Sequence, residues 1–406
     1  MAVAVLPPGV RRARVAVAAL FVVNAAAYAN LVPRLPGIKA DLDLSNTALG
    51  TAVAAVPLGA LLSGLMAGSL IGRWGSARVA TACGLGFALV VPAVSLAGSW
   101  PALVATFLVF GLLDSVMDVS MNAHALRVQR AYGRSIVSAL HGLWSMGAVA
   151  GAGLGSVAAG AHLGLGTHLL LAGAALAGLT LVARRHLLPG PDDVEREDLA
   201  LPADGTDAPA GPQAGWRRSA RVTLLWLGLL LVLAGAVEDS PASWGAILLR
   251  DELGTSAGVG GLVFVAFQGA MTAGRLLADR LVDRLGSEAV LRAGSALIVV
   301  GPGLGLLVGR PASVIVGFAV GGLGAAPLFP VVFHAAGNLP GLGTGHGVAA
   351  VAWASRLGFL VVPPIVGVIG DSVSVRWGLA VVPLAGIALV LLAGAVRGAD
   401  RGADRT

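Results

Sequence analysis

Apolar runs of about twenty residues, separated by short polar stretches, recur from end to end of this 406-residue chain. Each is long enough to cross a hydrocarbon core about 30 Å thick as a helix. The Ala, Leu, Val and Gly runs do not alternate with a period of two, as the strands of a membrane barrel would. The pattern predicts twelve membrane helices, at about 13–33, 46–71, 77–98, 101–126, 135–160, 164–184, 221–247, 257–281, 288–309, 311–337, 345–369 and 374–396. One long polar stretch, residues 186–220 with Pro189, Pro191, Pro202, Pro209 and Pro212, separates the sixth run from the seventh. It is expected to be a disordered linker. The chain thus reads as an all-α polytopic membrane protein: a six-helix bundle over 1–185, the linker, and a second six-helix bundle over 221–406 with a short tail.

Composition strengthens that picture, since 56% of residues are hydrophobic, 12% are charged and the mean hydropathy is +0.86. No water-soluble domain has that balance. The single cysteine, Cys83, lies inside an apolar run, which excludes an intramolecular disulfide and points to packing. The seven histidines show no metal-ligand spacing, and no cofactor or metal is expected. A net charge of +6 would suit a nucleic-acid partner, but its placement argues otherwise. With the N-terminus in the cytoplasm, twenty-one of the 27 lysines and arginines fall on that side, five on the other, and Arg356 inside a span. This bias puts both termini in the cytoplasm. Arg11 to Arg14 ahead of an apolar run could also head a secretory signal, but losing that run would leave eleven helices and break an internal repeat.

That repeat has an offset of 211 residues. Gly72-Arg73-Trp74-Gly75 falls on Asp283-Arg284-Leu285-Gly286, Gly111-Leu112 on Gly322-Leu323, and Gly147 on Gly358. A duplication with six spans per copy implies halves related by an axis along the membrane normal, with a solute site near mid-depth.

The loops after the second and eighth spans, Gly68-Ser69-Leu70-Ile71-Gly72-Arg73-Trp74-Gly75 and Gly274-Arg275 through Asp279-Arg280 to Asp283-Arg284-Leu285-Gly286, resemble the cytoplasmic glycine-basic motif of the major facilitator superfamily. The resemblance covers essentially the whole chain and implies a twelve-helix carrier working by alternating access. Its cytoplasmic gate would comprise Gly68, Arg73, Gly75, Arg275, Asp279, Arg280, Asp283, Arg284 and Gly286. Asp118-Val119-Ser120-Met121-Asn122, then Gly133-Arg134 and His141-Gly142, is similar to a bacterial inner-membrane branch related to the fucose permeases, which implies coupling to protons. The first helix departs from those permeases, offering Asn24, Tyr28 and Asn30 where they carry an acid. Drug exporters of the superfamily would have an arginine where Phe107 stands and a Gly-Pro pair at Gly155-Ser156. Gly147, Gly151 and Gly155 instead form a ridge of small residues suited to close helix packing.

Candidate chemistry follows from polar residues inside spans, which are costly there unless paired, protonated or wetted. Asp114, Asp118 and Asn122 recur every four residues and share a helix face. Glu238 and Asp239 stand in the seventh span, where Pro241 is expected to break or bend the outer third. These four acids are the candidate proton carriers, and Asn24, Tyr28, Asn122, His141, Trp144, Trp353 and Arg356 are candidate solute ligands. An Asp118–His141 contact fits the expected depths, and Arg356, the one basic residue read as lying within a span, is expected to pair with Asp114. The sequence therefore predicts a secondary active transporter, monomeric, whose partners are a small solute, a proton and the bilayer, with no nucleic acid. A drug or metabolite exporter, and a sensor that binds solute without moving it, are the rivals. An enzyme is disfavoured, because no nucleophile-base-acid set or phosphate loop appears.

Reporter fusions test the topology. Fusions after Arg78, Arg134 and Ala203 are expected to report the cytoplasm and one after Ser99 the outside; an external signal at Ala203 would overturn the twelve-span reading.

Overall fold

The computed structural model describes residues 8–133, 136–190, 214–337, 339 and 344–396. Every regular element among them is helical, and twelve are long and apolar enough to cross a membrane. Most of the segment 186–220, expected as a linker, lies outside the described residues.

By their contacts the residues group into two compact units: Met1–Leu31 with Leu58–Ala208, and Val32–Pro57 with Pro209–Thr406. In the first unit, α1 (Pro8–Ala29) packs against α6 (Val137–Gly160), α7 (Leu165–Arg184) and α5 (Trp100–Tyr132), while α4 (Ser76–Ala93) packs on α5 and α7. The short α2 (Leu35–Asp41) and the first turns of α3 (Asn46–Trp74) belong to the second unit, where α2 lies along α8 (Ala214–Ile247). The second unit continues with α9 (Leu262–Leu285), α10 (Ser287–Val308), α11 (Pro311–Ala325), α12 (Leu328–Gly337), α13 (Thr344–Ser372) and α14 (Val381–Leu392).

The packing partners repeat as the sequence does. In the first unit α1 meets α6, and α4 meets both α5 and α7; in the second α8 meets α13, and α10 meets both α11 and α14. Glycine makes the equivalent contacts close. A Cβ on Gly147 would stand 3.0 Å from Val22 Cα, and one on Gly358 would collide with the Val232 carbonyl. Gly151 is likewise pressed to Ala26, so α1 and α6 touch backbone to backbone over more than a turn.

At one end of the second unit, charged side chains satisfy helix termini that have no intrahelical partners. The Asp371 carboxylate accepts from Asn46 N and Thr47 N at 2.8 Å each, capping the start of α3 where the macrodipole favours an anion. Glu252 accepts from Val375 N and Arg376 N, and Arg376 donates to the last carbonyls of α10, Leu306 O at 2.5 Å and Leu307 O at 2.6 Å. Lys39 pairs with Asp251 at 2.9 Å across α2 and the turn following α8.

Of the break or bend expected at Pro241, the break does not occur: α8 runs unbroken through it to Ile247 and loosens only afterwards, in a π turn over Leu248–Glu252. The helical segment that carries Glu238 extends to Glu252, about 21 Å beyond it along the axis.

Gly75 and Gly286, 211 positions apart, adopt the same backbone, φ 82 with ψ 148 and φ 82 with ψ 155, and each starts the helix that follows. Only glycine holds that region without strain, while a Cβ at either site would meet nothing within 4 Å. Gly75→Ala and Gly286→Ala should each lower stability by about 1–3 kcal/mol through backbone strain alone. Thermal unfolding in detergent measures this, and an unchanged midpoint in both would remove the requirement.

Candidate functional site

In the first unit, three of the residues singled out in the sequence meet in one hydrogen-bond chain. Trp144 Nε1 on α6 donates to Asn24 Oδ1 on α1 at 2.7 Å, and Asn24 Nδ2 donates to Asp114 Oδ1 on α5 at 2.9 Å. An indole N–H can only donate, so it fixes the amide with its oxygen towards α6 and its nitrogen towards the carboxylate. Asn24 is 5% exposed, which makes an unpaired amide at this position expensive and the chain correspondingly well defined. Gly147 and Gly151 bring α6 onto α1 at Val22 and Ala26, on either side of Asn24, and so carry Trp144 within reach.

The same helices continue the stripe in both directions. One turn along, Tyr28 packs against Phe110, with ring centroids 5.8 Å apart, and Phe110 stacks on Phe87 at 4.8 Å. The pairs 24/114 and 28/110 show α1 and α5 running antiparallel in register. One turn the other way, Asn122 Nδ2 donates to Asp118 Oδ1 at 3.0 Å, as the four-residue spacing implies. His141 does not join Asp118. It is exposed, its Nδ1 lies 3.0 Å from the Val137 carbonyl one turn earlier, and its ring meets Phe21 edge-on at 5.2 Å.

Further along α5, buried His124 and Arg127 grip the chain as it leaves α7. Leu188 N donates to His124 Nε2 at 3.2 Å, which leaves Nδ1 to carry the proton in the neutral ring and face Ser76 Oγ at 3.0 Å. Arg127, 3% exposed, donates to the carbonyls of Leu188, Pro189 and Gly190 at 3.4, 2.5 and 3.0 Å. Neither residue was expected to have a role, because a basic residue at the cytoplasmic end of a span reads as an orientation signal.

In the second unit, Glu238 on α8 pairs with Arg275 on α9 at 3.3 Å. The sequence reading grouped Arg275 with the cytoplasmic gate and left Arg356 as the one cation inside a span. Arg275 also lies inside a span, since α9 continues ten residues beyond it, about 15 Å, to Leu285. The signal available was this distance from the Gly286 turn. Asp239, next to Glu238, is buried and accepts from Ser243 at 2.9 Å within its own helix. Gln268, 5% exposed and two turns before Arg275 on the same face of α9, has an Nε2 that no described residue accepts.

Two other candidates lie on α13 in the second unit, where Arg356 is half-buried and Trp353 on the preceding turn is 57% exposed. Of the expected gate, Gly68, Arg73, Arg280, Asp283, Arg284 and Gly286 are exposed, Gly75 is half-buried, and Arg73 lies over the Trp74 ring at 5.5 Å. The Asp279 side chain lies outside the described residues. Among the described residues no three His, Cys, Asp or Glu side chains form a metal-binding group.

Twelve apolar spans that carry polar side chains paired within the membrane define a multi-pass membrane protein of the carrier class. The family follows from comparison with known proteins. The model of the Major Facilitator Superfamily matches residues 17–247 and 240–405, and the chain belongs to that superfamily. It is 30% identical over 375 residues to an uncharacterized MFS-type transporter of Yersinia pestis, covering 91% of this chain and 92% of the relative. Its fold is similar to that of a bacterial homologue of the human lysosomal transporter Spinster, solved inward-facing and unoccupied, with a TM-score of 0.75, 12% identity and coverage of 97% and 98% of the two chains. It is also similar to the D-xylose-proton symporter, with a TM-score of 0.72, 15% identity and coverage of 94% and 96%. The protein is a secondary transporter that moves a small solute across a membrane.

The Glu238–Arg275 pair gives a direct test of its energetics. Removing one partner of a fully buried ion pair typically costs about 3–5 kcal/mol, and this pair, with side chains 29% and 17% exposed, should lose less, while removing both is milder still. Glu238→Gln and Arg275→Met should each lower the detergent unfolding midpoint, and the double variant should regain more than half of the combined loss. Strictly additive losses would deny the pairing.

Proposed function

We propose that this protein is a proton-coupled carrier of the bacterial cytoplasmic membrane, with both termini in the cytoplasm. It takes a neutral polar solute of about monosaccharide size by alternating access. Asp114 carries the coupling proton. The observation that supports this reading is the chain from Trp144 through Asn24 to Asp114, because it links a carboxylate inside the membrane to two side chains suited to a polar ring-bearing solute. As a carboxylate, Asp114 is an acceptor of the Asn24 amide; once protonated it also has a hydrogen to donate, so the set of bonds offered to a solute hydroxyl changes with the proton. A solute that displaces Asn24 from Asp114 therefore senses the protonation state directly. The size class rests on the resemblance of the stretch Asp118 to Asn122 to the fucose-permease branch and on the likeness of fold to the D-xylose-proton symporter.

Proteoliposomes under an imposed pH gradient test the reading against a panel of sugars. A gradient of one pH unit is worth about 1.4 kcal/mol, or about tenfold accumulation for one proton per solute. The wild type should accumulate its solute by that order, Asp114→Asn should equilibrate it without accumulation while still exchanging it, and Asp118→Asn should still accumulate. Accumulation by Asp114→Asn would move the proton elsewhere, and loss in Asp118→Asn alone would assign it to the next turn of α5.

A further inference from the structure

The first unit has a cavity of about 430 Å³ that the transport reading does not use. It lies between the start of α1 and the end of α7, and its walls are the apolar side chains of Val15, Ala16, Ala19, Leu179, Val182 and Ala183. Arg11, Arg12 and His186 close one end of it. Val15 and Val182 are 70% and 55% exposed, so the groove opens sideways towards the region that acyl chains fill in a membrane. Arg11 and Arg12 stand at the first turn of one span and His186 two residues beyond the end of another, so the basic end lies at the level of the headgroups.

These arginines are placed differently from their neighbour Arg14, which is held by Tyr132 through a 2.8 Å hydrogen bond and a contact with the ring face at 5.0 Å. Among the described residues neither Arg11 nor Arg12 has an ion-pair or hydrogen-bond partner. We infer that the groove between α1 and α7 binds one anionic phospholipid, its acyl chain along the apolar wall and its phosphate at Arg11, Arg12 and His186. The chemistry is complementary at both ends. Guanidinium groups bind phosphate bidentately, and basic pockets between membrane helices on the cytoplasmic side suit anionic headgroups. A free anion would leave the wall unused, Leu188 to Gly190 are held at His124 and Arg127, and the acidic stretch beyond them, Asp192-Asp193-Val194-Glu195, offers little apolar surface to fill it. This inference is independent of which solute or ion the carrier moves.

Native mass spectrometry and thermal unfolding of the full chain in detergent test it, with phosphatidylglycerol and phosphatidylcholine of matched chains as probes. The wild type should retain phosphatidylglycerol at least tenfold in preference and be stabilised by it. Arg11→Gln with Arg12→Gln should lose that preference, and Ala19→Phe, which narrows the groove and leaves the charges in place, should lose retention of the lipid altogether. The Ala19 variant keeps the test open if the double variant fails to fold. Equal retention of the two lipids by the wild type, unchanged preference in both variants, or full competition by glycerol-3-phosphate would each overturn the site. So would a gain of lipid on converting Asp192, Asp193 and Glu195 to amides, because it would make the acidic segment the natural occupant.

Discussion

Inside a bilayer there is no water to complete a hydrogen bond, so a polar group on a spanning helix must find its partner within the chain. The arrangement around Asn24 follows from that constraint. Its amide has a donor end and an acceptor end, and only helices that deliver an acceptor on one side and a donor on the other can bury it. Asp114 on α5 and Trp144 on α6 do so, which fixes three helices relative to one another by two bonds. The glycines at 147 and 151 make the same demand sterically, because α6 must come close for the indole to reach. Packing and polarity thus select one geometry, and that geometry leaves a carboxylate at the heart of the first unit.

The second unit solves the same problem with charge. Glu238 and Arg275 neutralise each other within the spans, and at the unit's end Asp371, Glu252 and Arg376 attend to helix termini that solvent alone would otherwise have to satisfy. The two units share their pattern of helix pairs and the backbone of Gly75 and Gly286, yet differ in their chemistry. Duplication has preserved what the fold requires, which is small residues at crossings and glycine at a turn of positive φ, and has let the polar residues diverge. This is the distribution expected when function resides in a few side chains grafted on a common scaffold.

The amount legible from sequence follows the range of each interaction. Hydropathy is local and summed over twenty residues, so the twelve spans were readable while several of their ends, such as those at Asp41, Tyr132 and Glu252, were not, and the 211-residue repeat was readable because glycine at a crossing or a turn has no substitute. The stripe Asp114, Asp118, Asn122 is a property of one helix and was readable too. Partners on other helices were not. Asn24 and Trp144 could be listed as candidates, but their bond to each other depends on where α6 crosses α1, which no spacing within either helix states. The Asp118–His141 contact failed because depth alone was matched, without the rotation of α6 that turns the His141 ring to Phe21. Arg275 lies within the span read at 257–281, but its bond to Glu238 on α8 depends on how the two helices meet and could not be read from either alone. Arg127 and His124 escaped for a related reason, since Arg127 holds backbone carbonyls and His124 a backbone N–H and the Ser76 hydroxyl of another helix, none of which spacing within α5 reveals.

The grip of Arg127 on residues 188–190 has a mechanical consequence. The chain is fixed at Leu188–Gly190 and does not fray beyond the end of α7, because three carbonyls are held by one buried guanidinium. A pull on residues beyond that point is delivered to α5 at Arg127, nine residues or about 13 Å along the same rigid rod from Asp118. A load on the chain beyond Gly190 is therefore passed to the helix that carries Asp114 and Asp118.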